Sequence, residues 1–202
     1  EDQRKTAEME GFMLIDPVSL ITIHLAEIIK IHIDELFGLQ ETCELIETIK
    51  KINPVVVKEI YPSRISLPEI QKIMRNLLRE RVPIRNLVTI FETIGMYSHI
   101  KSPDLISEYV RRALKKTICR DLLEQGRELI AFTLDSEVEK FIIRLFKNNE
   151  NTEKTNRVAE ILFDFISKKI KENKDIGLSN LILICSPETR PLVRNLTIKD
   201  FP

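Results

Sequence analysis

Residues 77–92, LLRERVPIRNLVTIFE, place two helical apolar patterns on either side of a short, arginine-rich hinge. Met74, Leu77 and Leu78 share one face of a helix arriving from the left. Leu87, Ile90, Phe91 and Ile94 share one face of the helix that follows, at the i, i+3, i+4 spacing of a buried stripe. Pro83 stops the first helix, because it lacks an amide hydrogen and biases the residue before it away from helical angles. Arg79, Arg81 and Arg85 crowd the hinge, so three cations are fixed relative to two apolar faces.

Working outward, the same grammar repeats. Ser66-Leu67-Pro68-Glu69 has the form of a capping box that opens the helix running to about Arg81. Asp16-Pro17, Asn53-Pro54 and Ser102-Pro103 each pair a capping side chain with proline at the first helical position. The apolar residues Leu20, Ile21, Leu25, Ile28, Ile29, Leu36 and Phe37 predict one long helix from Pro17, stopped by Gly38. Further helices are expected over 41–51, over 54–61, from Pro83 through Tyr97, and from Ser102 to Leu123. Six helices joined by short loops make a bundle.

The pattern changes after Gly126. ELIAFTL at 128–134 carries no helical period and reads as a strand. Asp135 caps a helix with Val138, Phe141, Ile142, Leu145 and Phe146 inward. A polar connection over 147–156 leads to a helix holding Val158, Leu162, Phe165 and Ile166. Residues 181–185 read as a second strand, and Ser186-Pro187 as the cap of a last helix. The expected fold class is therefore mainly α: a six-helix bundle subdomain followed by a small, truncated α/β subdomain. Its divisions are a remnant of a preceding subdomain with a short strand over 1–16, the helical subdomain over 17–124, and a C-terminally incomplete α/β subdomain over 125–202. The absence of an initial methionine suggests an excised piece.

The 202 residues carry 31 basic and 31 acidic side chains, so no global field selects nucleic acid, anionic lipid or an acidic partner. Three scattered cysteines give neither a disulfide framework nor a zinc-type cluster. No apolar run approaches the roughly 18 residues that cross a bilayer.

Candidate chemistry is thin. His24 and His32 lie on one predicted helix but about 80° apart around its axis, so they cannot share one metal ion without a partner helix. No G-x-S-x-G elbow, phosphate-binding glycine loop or Cys/His pair occurs. Ser186 reads as a cap rather than a nucleophile, and paired acids such as Glu41 and Glu44 read as solvated helix faces. The arginines of the hinge could grip a phosphate backbone, yet interleaved Glu69 and Glu80 and the lack of stacking aromatics weigh against it. No catalytic, cofactor or metal residue is assigned.

The segments LIDPVSLITIHLAEIIKIHIDELFGLQE, KINPVVVKEIYP, LPEIQKIMRNLLRERVPIRNLVTIFETI and SPDLISEYVRRAL follow one another in an order that resembles the FlhA/InvA (FHIPEP) family. These are the export-gate proteins of type III secretion. The resemblance resumes at FTLDSEVEKFI and LILICSPETRPLVR. Asp16-Pro17 and SPETRPLVR look more like the flagellar branch than the virulence branch. Ile33 and Leu39 depart from the alanine and arginine usual in the family.

The resemblance implies an integral protein of the bacterial inner membrane whose transmembrane segments lie upstream, and whose cytoplasmic part assembles into a ring. That ring docks export substrates with their chaperones and meets other export-apparatus proteins. Because the family's chaperone groove is expected upstream, no chaperone-contact residue is assigned. The expected function is a non-enzymatic docking platform. A virulence export gate, a helical nucleic-acid-binding module and a metal-dependent enzyme are the alternatives. Interface candidates are Arg79, Arg81 and Arg85 on the hinge and His24, Glu27 and Glu41 along the helix face from His24 to Glu41.

Overall fold

The computed structural model describes residues 15–123, 130–147, 152–172 and 181–199. Eight helices come first: α1 (Pro17–Ile31), α2 (Ile33–Leu36), α3 (Leu39–Ile52), α4 (Pro54–Ile60), α5 (Leu67–Arg79), α6 (Leu87–Tyr97), α7 (Pro103–Ala113) and α8 (Lys115–Leu123). They are followed by β1 (Ile130–Thr133), α9 (Ser136–Lys147), α10 (Thr152–Glu172), β2 (Leu181–Ile184) and α11 (Arg190–Thr197). The fold is mainly α with a small α/β part, as the periodicity predicts.

Capping chemistry sets the helix starts. The Ser19 amide donates to Asp16 Oδ1 at 2.9 Å, and the Leu105 amide donates to Ser102 Oγ at 3.3 Å. Ser66 donates both its amide, at 2.8 Å, and its hydroxyl, at 2.6 Å, to Glu69. Glu69 satisfies a donor that the helix itself leaves open.

α5 is the centre of the bundle. Ile70, Ile73, Met74, Leu77 and Leu78 are all buried, on a stripe that matches the helical period. Five such side chains supply on the order of 10 kcal/mol of hydrophobic free energy before conformational entropy is subtracted. Ile90, Phe91 and Ile94 of α6 and Ile106 and Val110 of α7 meet Ile70, Ile73, Met74 and Leu77 in one core with Ile46, Ile49, Val57 and Ile60. Lys72 and Asn76 of α5 reach Asp104 of α7 at 2.7 and 2.9 Å, a polar seam along the outer edge of that packing.

A second, smaller core gathers Ile142, Leu162 and Val193, flanked by Leu134, Phe146 and Leu183. Beside it β1 and β2 pair in parallel, with Ile130 opposite Leu181 and Thr133 opposite Ile184. Parallel neighbours need a long crossover, and here α9 and α10 supply it.

Several expected boundaries move. The predicted helix from Pro17 to Phe37 breaks at His32, which leaves helical angles (φ −104°, ψ 15°), so the long first helix is two. The break turns residues 33–37 onto α5, where Asp34 and Phe37 find partners. Gly38 does not stop that helix but precedes α3 as its cap residue, its amide donating to Glu41 at 2.8 Å. The helix expected from Ser102 to Leu123 breaks at Leu114, whose side chain is fully buried in the main core.

The polar connection over 147–156 is shorter than expected. Residues 152–156 already belong to α10, which at 21 residues is longer than α1. Ser186-Pro187 starts a turn rather than the helix. Ser186 Oγ accepts from the Thr189 amide at 3.3 Å, and α11 begins at Arg190. Residues 1–14 with most of the expected first strand, the proposed boundary at 124/125, and residues 128–129 lie outside the described residues.

Candidate functional site

The hinge after α5 is closed by its own backbone. The Arg81 amide donates to the Leu78 carbonyl at 2.8 Å and the Val82 amide to the Leu77 carbonyl at 2.9 Å. This is a Schellman pattern, with Val82 buried as its apolar anchor. The left-handed position belongs to Arg81, at φ 55°, where glycine is the usual occupant. Pro83 and Asn86 then reset the chain, and Asn86 Oδ1 accepts from the Thr89 amide at 3.5 Å to open α6.

Each hinge arginine meets different surroundings. Arg79 donates through Nε to the buried carboxylate of Asp34 at 3.0 Å, which fastens α2 to the end of α5. Arg81 is exposed and near enough to Glu27 for its charge to help hold that carboxyl below its usual range, after the larger effect of the Lys30 hydrogen bond. Arg85 is exposed, and no side-chain ion pair engages it among the described residues.

The helical candidates divide in the same way. His24 is exposed on α1, and Glu27 pairs with Lys30 at 2.6 Å. Glu41 is engaged in capping, its carboxylate accepting from the Gly38 amide. The structure therefore draws Glu27, Arg79 and Arg81 toward one end of α5 and gives Glu41 a local structural task.

No residue of α1 is buried. Val18, Ile21, Leu25 and Ile29 are all exposed, and Leu20, Ile23 and Ile31 extend the apolar surface around the helix. A helix apolar on most sides ordinarily belongs in a core. Among the described residues no three His, Cys, Asp or Glu side chains converge as a metal site, and no helix is long and apolar enough to cross a membrane.

The strongest charge constellation was not visible from spacing. Arg190, in the first turn of α11, donates through Nη2 to Glu108 at 2.7 Å and through Nη2 to Glu80 at 2.6 Å, while its Nε contacts the second Glu108 oxygen. Arg111 Nη1 lies 3.0 Å from the other Glu80 oxygen and Arg194 Nε lies 3.4 Å from the first. The Arg111 contact is an ion pair out of line for a hydrogen bond, which is why that nitrogen has no hydrogen-bond partner.

Only 15% of the Glu80 side chain and 9% of the Glu108 side chain is exposed, so these charges have given up most of their water. Burial works against the Arg190 charge, but the hydrogen bonds it donates to Glu108 and Glu80 outweigh that and raise its pKa. Arg111 is pushed down by burial and then by the neighbouring Arg190, and the charges of Glu80 and Glu108 only partly offset this. Nearby, the Tyr109 hydroxyl donates to Glu188 at 2.7 Å while its ring stacks on Tyr97, 4.0 Å between centroids. The turn before α11 is fixed from its other side by Glu139, whose carboxylate accepts from the Ser186 amide and from the Thr189 hydroxyl at 3.0 Å. The result is a rigid seam between the bundle and the α/β part, built from the ETRPLVR segment.

Comparisons with known proteins agree with this architecture along the whole chain. The flagellar biosynthesis protein FlhA of Bacillus subtilis (strain 168) is 37% identical over 205 aligned residues, covering 100% of this chain and 30% of the relative. The chain thus spans about a third of the length of that relative. The Chlamydia pneumoniae CdsV and CdsO protein complex contains a chain with a TM-score of 0.73 and 27% identity, covering 100% of this chain and 59% of that one. The nonameric SctV-C of EPEC has the same fold, with a TM-score of 0.73 at 24% identity, over 100% of this chain and 62% of that one. The FHIPEP family model matches residues 1–202, and the chain belongs to the FHIPEP family.

Proposed function

We propose that this chain is part of the cytoplasmic region of a flagellar type III protein-export gate, and acts as a ring-forming docking platform for export substrates and their chaperones. The observation that carries the reading is the family match over all 202 residues, together with the flagellar relative. The nonameric state of SctV-C and the CdsV–CdsO complex support ring assembly and contact with other export-apparatus proteins.

On this reading the helical subdomain (17–124) supplies subunit contacts and the α/β subdomain (125–202) is held against it through Arg190. The full protein sits at the bacterial inner membrane, with this region on its cytoplasmic face. Binding energy from chaperone–substrate complexes would act by favouring one arrangement of the subdomains over another. His24, Glu27, Glu41, Arg79, Arg81 and Arg85 are the proposed contact residues, with Arg85 the best candidate because no ion pair engages it among the described residues.

The test uses the full-length protein. Arg85→Glu is expected to leave thermal stability of the cytoplasmic region unchanged while reducing ring formation in sedimentation and export of flagellar subunits. Unchanged assembly and export would remove Arg85 from the interface. Normal export after deletion of residues 17–123 would sink the platform reading itself.

A further inference from the structure

A cleft of about 580 Å³ opens on one side of the Arg190 seam, between α7–α8 and the end of β2. Its size falls within the roughly 300–1,000 Å³ range of ligand-binding clefts. Ile118, Leu183 and Ile184 give it an aliphatic floor, and among the described residues Arg111, Arg112, Lys115 and Arg190 set four cations around one carboxylate, that of Glu108. Glu108 is itself consumed by Arg190, whose guanidinium contacts both of its oxygens.

Two of those cations, Arg112 and Lys115, are exposed and enter no ion pair among the described residues, although Arg112 gains from its place in the last turn of α7. Lys115 opens α8, the end at which a cation opposes the helix dipole, so it gains nothing from its own helix. Ile118 and Leu183 of the floor also pack against the two cores, but Ile184 remains 51% exposed although it closes a strand.

We propose that this cleft docks an acidic, aliphatic segment of a partner protein, its carboxylates meeting Arg112 and Lys115 and its apolar side chains resting on Ile118 and Ile184. Charge complementarity selects the sign of the partner, and the floor selects its side chains. Nucleic acid is the poorer fit, since among the described residues no aromatic ring lines the cleft to stack a base. A lone phosphate would leave the floor uncovered. The site is separate from the hinge arginines, and its failure leaves the export-gate reading standing.

The test is fluorescence anisotropy of a labelled twelve-residue peptide alternating aspartate or glutamate with leucine, titrated with the whole chain. Binding is expected to weaken about tenfold in Arg112→Glu and in Lys115→Glu, and also in Ile184→Ser. Lys116→Glu, the same charge change one residue outside the cleft, should move it less than about twofold. Exposed positions are chosen so that the variants fold, which circular dichroism checks. Equal losses in Lys116→Glu and Lys115→Glu would overturn the proposal. So would equal binding of a serine-for-leucine peptide, tighter binding of an oligothymidine, or no binding of the acidic peptide.

Discussion

Replacing Arg190 with methionine tests whether the buried charge seam holds the two parts of the chain together. Methionine keeps most of the length and apolar stem but removes all three contacts to Glu80 and Glu108. Glu80 keeps Arg111 and Arg194 within 3.4 Å, so its loss is partial. Glu108 is left with no side-chain hydrogen bond among the described residues and with only 9% of its side chain in water. Stranding a buried carboxylate costs about 3–5 kcal/mol, against about 0–1 kcal/mol for an exposed pair.

Because Glu108 lies at the edge of a cleft and water can partly enter, the lower figure, about 3 kcal/mol, is expected. For a chain of this length that corresponds to a fall of about 6–12 °C in Tm. Urea unfolding followed by circular dichroism reads it directly. Adding Glu108→Gln should recover part of the loss, giving a coupling of about 2 kcal/mol in the double-mutant cycle. A cost below about 0.5 kcal/mol for Arg190→Met, with no coupling to Glu108, would refute the idea that the seam is a buried network.

Two other outcomes follow from the packing and the caps. Gly95 sits inside α6, where a Cβ would lie 2.9 Å from Ile60 Cδ1 on α4. Gly95→Ala should therefore destabilise by about 1 kcal/mol, the clash exceeding the helix-propensity gain, and Ile60→Val in the same chain should restore stability in thermal melts. Arg81→Gly should raise stability by about 1 kcal/mol in urea titrations, since glycine relieves the left-handed strain; a loss would mean that the Arg81 side chain carries more than its strain costs.

The fourth concerns acid. Burial raises the Asp104 carboxyl, but hydrogen bonds from Lys72 and Asn76 outweigh it and leave it below its ordinary value of 3.8. The unfolded chain then takes up the proton first as pH falls. Stability from this group is present above pH 3.8 and lost as pH falls through the folded value. Asp104→Asn should flatten the acid limb of a stability–pH curve, and an unchanged slope would show that the seam is too exposed to matter.

What the sequence makes legible is local. Asp16-Pro17, Ser102-Pro103 and the Ser66–Glu69 box act through residues three apart, so each helix start is written next to itself. The face of α5 follows from the spacing of Ile70, Ile73, Met74 and Leu77, which tertiary packing then exploits. The break at His32 is different in kind. Leu36 and Phe37 keep the apolar period of α1, and only the pull of Arg79 on Asp34, 45 residues away, reveals that the axis turns. Glu80 reads as one more acid among arginines until Arg190, 110 residues on, reaches it. Ion pairs at such separation leave no periodic trace, so the candidate list named the exposed arginines and missed the buried ones.

α1 has one consequence of its own. Its hydrogen bonds are internal and its side chains lie in water, so it has the thermodynamics of an isolated 15-residue helix, which is marginal by itself. Isoleucine at 21, 23, 28, 29 and 31 lowers its intrinsic propensity further. The helical population of this segment is therefore set by the surface that meets it, and amide hydrogen exchange should find it opening by many orders more often than α5. Docking there would be recorded as a gain of order in residues 17–31, a signal that the rigid bundle beside it cannot produce.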